Sequence, residues 1–173
     1  MNILSSLKKI RLFVLDVDGV LTDGSLLLMD SGEMVRRMNI KDGYALQLAV
    51  KKGYDILIIS GGTSAAVKQR LEKLGLKNIH LGVLNKKELL LKYVTEKKYI
   101  MPEVLYMGDD IPDVMPMQAV GVACAPADAV PEVRSIAHYI SPLSGGNGCV
   151  RDVIEKVMKL NGDWNDHPEI ASM

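Results

Sequence analysis

Alternation of short apolar runs with helical patterns predicts an α/β protein, a parallel sheet covered by helices on both faces. Three observations carry this. Apolar runs recur at Arg11–Asp16, Asp55–Ser60 and Glu103–Gly108, with a weaker copy at Ala119–Ala123. Each is apolar throughout rather than alternating, as in strands buried on both faces. Helical patterns fill the intervals between them.

The elements follow in order. After the first strand, Ser25–Met29 and Met34–Met38 flank Asp30-Ser-Gly-Glu33 and read as a β-hairpin with a Gly-containing turn. Its first arm is more apolar than an exposed ribbon should be. It is expected to meet a partner, the alternative being that it folds back on its own sheet. Helices are expected over Asp42–Lys52, Ser64–Leu74 and Lys86–Lys98, with a short one at Pro112–Gln118. Gly53 and Gly75 stand where helix C-terminal glycines belong. Ser141–Gly148 is rich in turn formers and precedes a last helix over Cys149–Leu160. Residues 1–160 read as one domain and 161–173 as a mobile polar tail.

Composition narrows the function. The 173 residues are 48% hydrophobic and 24% charged, which suits one globular domain. Lysine plus arginine balances aspartate plus glutamate at 21 each, so no electrostatic case exists for nucleic acid or an anionic membrane. Aromatics at 5% argue against base-stacking platforms. Cys124 and Cys149 have no metal-type spacing and read as reduced thiols of a cytoplasmic protein. The first eleven residues lack a signal-peptide pattern, and no apolar run is long enough to span a bilayer.

The chemistry-bearing residues cluster after the strands. Asp16-Val-Asp18-Gly follows the first, where ligands bind in open α/β sheets. Two close carboxylates repel, so the pair suits a cation that neutralises it and a division of labour. One carboxylate attacks phosphorus; the other protonates the leaving oxygen and then activates water. A solvated acidic loop is the plain alternative. Gly108-Asp109-Asp110-Ile-Pro-Asp113 follows another strand, and Asp109 and Asp113 offer the hard oxygens magnesium prefers. Ser60-Gly-Gly-Thr63 either donates to a phosphoryl oxygen or is an ordinary turn. Lys86 either offsets phosphate charge or is a solvated surface lysine.

Asp16-x-Asp18-Gly, Ser60, Lys86 and Gly108-Asp109-Asp110-x-x-Asp113, in that order, resemble the haloacid dehalogenase superfamily of aspartyl phosphatases. The resemblance implies a three-layer α/β/α Rossmann-like fold. It implies Asp16 as nucleophile, Asp18 as acid/base, and Ser60 and Lys86 at the phosphoryl group. It also implies Mg2+ held by Asp16, the Asp18 carbonyl and Asp109, with Asp113 supporting. The intervals Thr22–Ser60 and Ser60–Lys86 leave no room for a cap domain.

The capless form with a hairpin resembles the 3-deoxy-D-manno-octulosonate 8-phosphate phosphatase subgroup, on Asn39-Ile-Lys-Asp-Gly-Tyr44, Arg70, Gly82–Lys86 and Gly145–Arg151. That implies a sugar acid phosphate substrate of lipopolysaccharide sugar biosynthesis. It also implies a homotetramer in which a neighbour supplies the lid. A pocket lined by Asn39, Ile40, Lys41, Asp42, Gly43, Gln47, Gly62, Arg70 and Lys86 is implied, with Arg70 or Lys41 placed to hold the carboxylate. Gly62 and Gln47 stand where many of the subgroup are basic, which leaves a nine-carbon sugar acid phosphate as the competitor. A receiver domain would need a lone phospho-accepting aspartate on a middle strand. A non-catalytic module would not need Asp16, Asp18, Lys86 and Asp109 together.

Overall fold

The computed structural model describes residues 2–165. Helix α1 (Ile3–Leu7) leads into strand β1 (Leu12–Leu15), and a two-stranded ribbon follows as β2 (Leu27–Leu28) and β3 (Met34–Val35). Then come α2 (Ile40–Lys51), β4 (Asp55–Ile59), α3 (Ala65–Lys73), β5 (Asn78–His80) and α4 (Lys86–Lys97). The chain continues through β6 (Val104–Met107), α5 (Ile111–Met117), β7 (Val122–Ala125), α6 (Pro131–Ile136), β8 (Tyr139–Ile140) and α7 (Cys149–Asn161). Six strands form one parallel sheet in the order β5-β4-β1-β6-β7-β8.

Strand β1 shows why its apolar run is continuous. Phe13 and Leu15 pack into the core shared with α2 and α7, while Leu12 and Val14 pack into the core shared with α4, α5 and α6. Strands β4, β6 and β7 alternate in the same way, with Ile56, Leu105 and Val122 on the first face and Leu57, Val104 and Ala123 on the second. Both sheet faces are therefore closed, which yields the expected three layers.

Four differences from the sequence expectation have physical causes. The fourth strand starts at Val122, not Ala119. The Gly121 N–H instead donates to the Met101 carbonyl at 2.8 Å, tying off a turn before the strand begins. Helix α2 starts at Ile40, because the Asn39 side chain caps it by accepting from the Lys41 N–H at 2.8 Å. The ribbon pairs only Leu27–Leu28 with Val35–Met34, as a separate two-stranded sheet rather than an addition to the main one. The packed chain also extends past residue 160. Helix α7 ends at Asn161, the Tyr54 hydroxyl lies 2.7 Å from Asp163 Oδ2, and Trp164 stacks edge-on to Tyr44. Most of the expected tail, 166–173, lies outside the described residues.

Candidate active site

The sheet order puts the chemistry in one place. Strand β1 is flanked by β4 and β6, so the segments leaving their carboxyl ends lie side by side. Those segments begin with Asp16, Ser60 and Gly108-Asp109.

Asp16 is buried and fixed at both oxygens. Its Oδ1 accepts the Val17 N–H at 2.7 Å, and its Oδ2 accepts Lys86 Nζ at 2.7 Å. Lys86 is also buried, at 6% exposure, so the surface-lysine alternative is excluded. Its ammonium bridges Asp16 and Asp113, donating to Asp113 Oδ1 at 2.8 Å. Asp113, fully buried in the first turn of α5, further accepts the Tyr106 hydroxyl at 2.8 Å and the Asp109 N–H at 3.1 Å. Its carboxylate is saturated by donors from three elements, so it acts as the hub that sets Lys86 and the Asp109 loop.

One carboxylate oxygen from each of Asp16, Asp109 and Asp113 lies within 4.8 Å of the others. Asp109 Oδ1 is buried and has no hydrogen-bond partner among the described residues. Gly19, at φ +83°, is packed so close that a Cβ there would stand 1.9 Å from Asp109 Oδ2. An orphaned buried carboxylate oxygen in a cluster of hard oxygens is what a divalent cation fits. Electrostatics agree. Burial, then the Asp113 charge, pushes Asp16 up to about 7 against the pull of Lys86. Burial, then Asp16 and Asp113, pushes Asp109 up to about 7. Burial alone would lower Lys86, but Asp113 and Asp16 outweigh it and hold the ammonium above its usual range.

Asp18 is half-exposed, and its side chain meets Arg36 of the ribbon, whose Nε donates to Oδ1 at 2.6 Å. Ser60 is buried, its Oγ accepting the Gly62 N–H at 3.1 Å. Val17, Asp18, Arg36, Ser60 and Gly62 share one hollow beside the cluster.

The other expected pocket residues do not converge within this one chain. Arg70 lines a cleft of about 610 Å³ between the ribbon and α3, together with Met34, Arg36 and Val67. Lys41 lines a separate cleft of about 510 Å³ beside Asn147 and Arg151. Asn39 Nδ2 donates to the Gly146 carbonyl at 3.3 Å, and Ile40 is exposed. Gly43 is buried, and Gln47 Nε2 reaches the Gly43 carbonyl at 3.5 Å. Asp42 is turned inward: its Oδ1 accepts the Arg151 N–H at 2.8 Å, in the first turn of α7. Its carboxylate therefore serves as a tertiary cap rather than facing a pocket.

Three participants were not anticipated from sequence: Arg36, Tyr106 and Asp128, whose Oδ1 accepts the Gly145 N–H at 2.9 Å. Tyr106 sits inside an apolar run, and Arg36 sits in the second arm of a hairpin expected to meet a partner.

No family model matches the chain. The 3-deoxy-D-manno-octulosonate 8-phosphate phosphatase KdsC of Escherichia coli (strain K12) is 35% identical over 166 residues, covering 95% of this chain and 88% of its own. The fold matches a crystal structure of the Yersinia pestis phosphatase of that name at TM-score 0.90 and 30% identity, covering 92% of this chain and 86% of that one. The Moraxella catarrhalis phosphatase, crystallised with magnesium, phosphate and KDO, matches at TM-score 0.88 and 32% identity over 91% of each chain. A Legionella pneumophila hydrolase of HAD superfamily subfamily III A matches at 0.89 and 31% identity, covering 92% of this chain and 87% of that one. With the acidic cluster, the capless sheet and this extent of identity in hand, the chain belongs to the 3-deoxy-D-manno-octulosonate 8-phosphate phosphatase family of the HAD superfamily.

Proposed function

We propose that this protein hydrolyses 3-deoxy-D-manno-octulosonate 8-phosphate to the free sugar acid and inorganic phosphate, with Mg2+ as cofactor. The observation that carries the reading is the buried Asp16–Lys86–Asp113 bridge beside Asp109, whose Oδ1 has no hydrogen-bond partner among the described residues. The chain's similarity to the Moraxella catarrhalis enzyme crystallised with magnesium, phosphate and KDO supports it.

Asp16 and Asp109 side chains and the Asp18 carbonyl would hold the magnesium, with Asp113 fixing their loop. Bound there, the ion would supply the positive charge that offsets these carboxylates and the incoming phosphoryl group. Asp16 Oδ attacks the phosphorus, and the bond to the sugar oxygen breaks. Asp18, as the acid, gives its proton to that oxygen, which leaves as the alcohol. Asp18, now a carboxylate, takes a proton from water. That water attacks phosphorus, releasing phosphate and restoring Asp16. Ser60 Oγ and Lys86 Nζ oppose the charge that builds on the phosphoryl oxygens.

The rest of the assembly belongs to the same proposal. The pocket residues lie in separate clefts of one chain. A homotetramer, joined through the exposed apolar ribbon, would bring a neighbour over the open site and supply its lid. No helix among the described residues is long and apolar enough to cross a membrane, in keeping with a cytoplasmic place for the enzyme. The test is phosphate release from eight- and nine-carbon sugar acid phosphates in magnesium. The eight-carbon substrate is expected to have the higher kcat/KM, and Asp16→Asn is expected to remove activity while the protein stays folded. Turnover by pure Asp16→Asn would exclude it as nucleophile.

A further inference from the structure

The ribbon carries one residue that does not behave like its neighbours. Leu27, Leu28, Met29, Met34 and Val35 are all exposed, yet the Arg36 side chain is only 9% accessible. An arginine is rarely withdrawn this far from water without a fixed partner. Arg36 has one, and all its nitrogens are used. Nε and Nη2 face the two carboxylate oxygens of Asp18 at 2.6 and 3.3 Å, while Nη1 donates to the Met34 carbonyl at 3.0 Å. The guanidinium is thus braced by the ribbon's own backbone on one side and grips Asp18 with its planar fork on the other.

The opposite wall points the same way. A Cβ on Gly62 would stand 2.9 Å from Asp18 Oδ2 and 3.2 Å from Arg36 Nη2. The space occupied by the pair exists because residue 62 has no side chain. Ser60 Oγ lies 3.6 Å from the same point, so Asp18, Arg36 and the phosphate-side hydroxyl converge on one spot.

We infer that Arg36 is a positioning residue: it sets the Asp18 carboxylate, the form that takes a proton from water, in place, so the ribbon governs the second half of the reaction at the far end of the first strand. The inference rests on the phosphatase reading above. Asp18 is 36% accessible and attached to a turn, so without the fork its side chain is free to take several rotamers. The ribbon then has two uses, an outer apolar face and an inner grip on Asp18.

The experiment separates the two halves of the reaction. An alkyl phosphate such as the sugar acid phosphate needs a proton on its leaving oxygen, whereas p-nitrophenyl phosphate does not. Both need Asp18 as base for the second half. For Arg36→Ala, kcat on the alkyl ester is expected to fall about 100-fold, the lower end of general acid–base contributions, with KM little changed. On p-nitrophenyl phosphate, rapid mixing is expected to show a burst near one equivalent of nitrophenolate before slow turnover. Arg36→Lys should restore part of kcat. Gly62→Ala, which presses on the pair sterically, should show the same burst.

A rise in KM with kcat preserved would overturn the inference, since Arg36 would then grip substrate directly. So would a parallel fall of burst and turnover rates. If Arg36→Ala does not fold, absence of a burst in both Arg36→Lys and Gly62→Ala overturns it. An inert wild type would sink the phosphatase reading and this inference together, whereas an active wild type beside an unaffected Arg36→Ala sinks only the inference.

Discussion

The Lys86 ammonium lies 2.7 Å from Asp16 Oδ2, and both side chains are buried. Removing the cation leaves Asp16 and Asp113 as buried, mutually repelling carboxylates. Breaking a buried pair from one side costs about 3–5 kcal/mol. Lys86→Met is therefore expected to lower stability by that order and activity by at least about 100-fold, as loss of a charge-stabilising group does. Denaturant melts and phosphate release measure the two effects; a variant of unchanged stability and rate would contradict the bridge.

Asp109 is expected to govern metal binding. Burial and the neighbouring carboxylates hold Asp16 and Asp109 up to about 7, so below that pH protons compete with a cation for the same oxygens. Magnesium affinity is expected to weaken as pH falls from about 8 to about 6. It should drop at every pH in Asp109→Asn, which keeps an oxygen but loses the charge. Magnesium-dependent thermal shifts read both without assaying turnover. A pH-independent affinity would remove these carboxylates from the metal site.

Some of this was legible in the sequence and some was not, and the division follows range. Asp16 and Asp109 announce themselves because each ends an apolar run, and strand ends are where open sheets place ligands. Lys86 looked ambiguous because only the fold brings α4 against β1 and β6. Arg36 was invisible: its contact with Asp18 spans 18 positions and depends on how the ribbon leans. Helix α6 and strand β8 are too short to show a period, at 6 and 2 residues. Asp42 was placed in the pocket only by the resemblance, and its own helix gives no sign of a distant partner. Here that turn meets the start of α7, 109 positions away, and the carboxylate caps it.

That inward turn of Asp42 has a consequence for stability. Burial, partly offset by backbone donors from α7, pushes its carboxyl up to about 6 from an ordinary 3.8. A carboxyl raised on folding contributes stability in full below the unfolded value and loses it as pH rises through the folded value. Asp42 should therefore cost stability progressively from about pH 4 to about pH 6, and by a constant amount above. Asp42→Asn keeps an acceptor for the Arg151 N–H without the charge. It is expected to match or exceed wild type at pH 7.5, by up to about 1–3 kcal/mol, and to lose that margin near pH 4. Urea melts across this range check the sign; an advantage that grew toward low pH would show that the carboxylate form is the favoured one.

The ribbon carries the last prediction. Leu27 and Leu28 are 64% and 69% exposed, and Met34 opposite them is 55% exposed, on a strand pair too short to be stable alone. Apolar side chains on such a ribbon need a partner, and a second copy of the same ribbon is the self-complementary choice. Charges placed there would repel across a symmetric contact while leaving both internal cores untouched, since none of these residues belongs to either. The wild type is expected to scatter light as a tetramer, and Leu27→Asp with Leu28→Asp to yield a folded monomer. Because the neighbour is expected to supply the lid, and Arg36 of the same ribbon grips Asp18, the monomer should also turn over more slowly, with a raised KM as well as a lowered kcat. A wild type that is monomeric at working concentration, or a double variant that stays tetrameric, would remove the ribbon from the assembly.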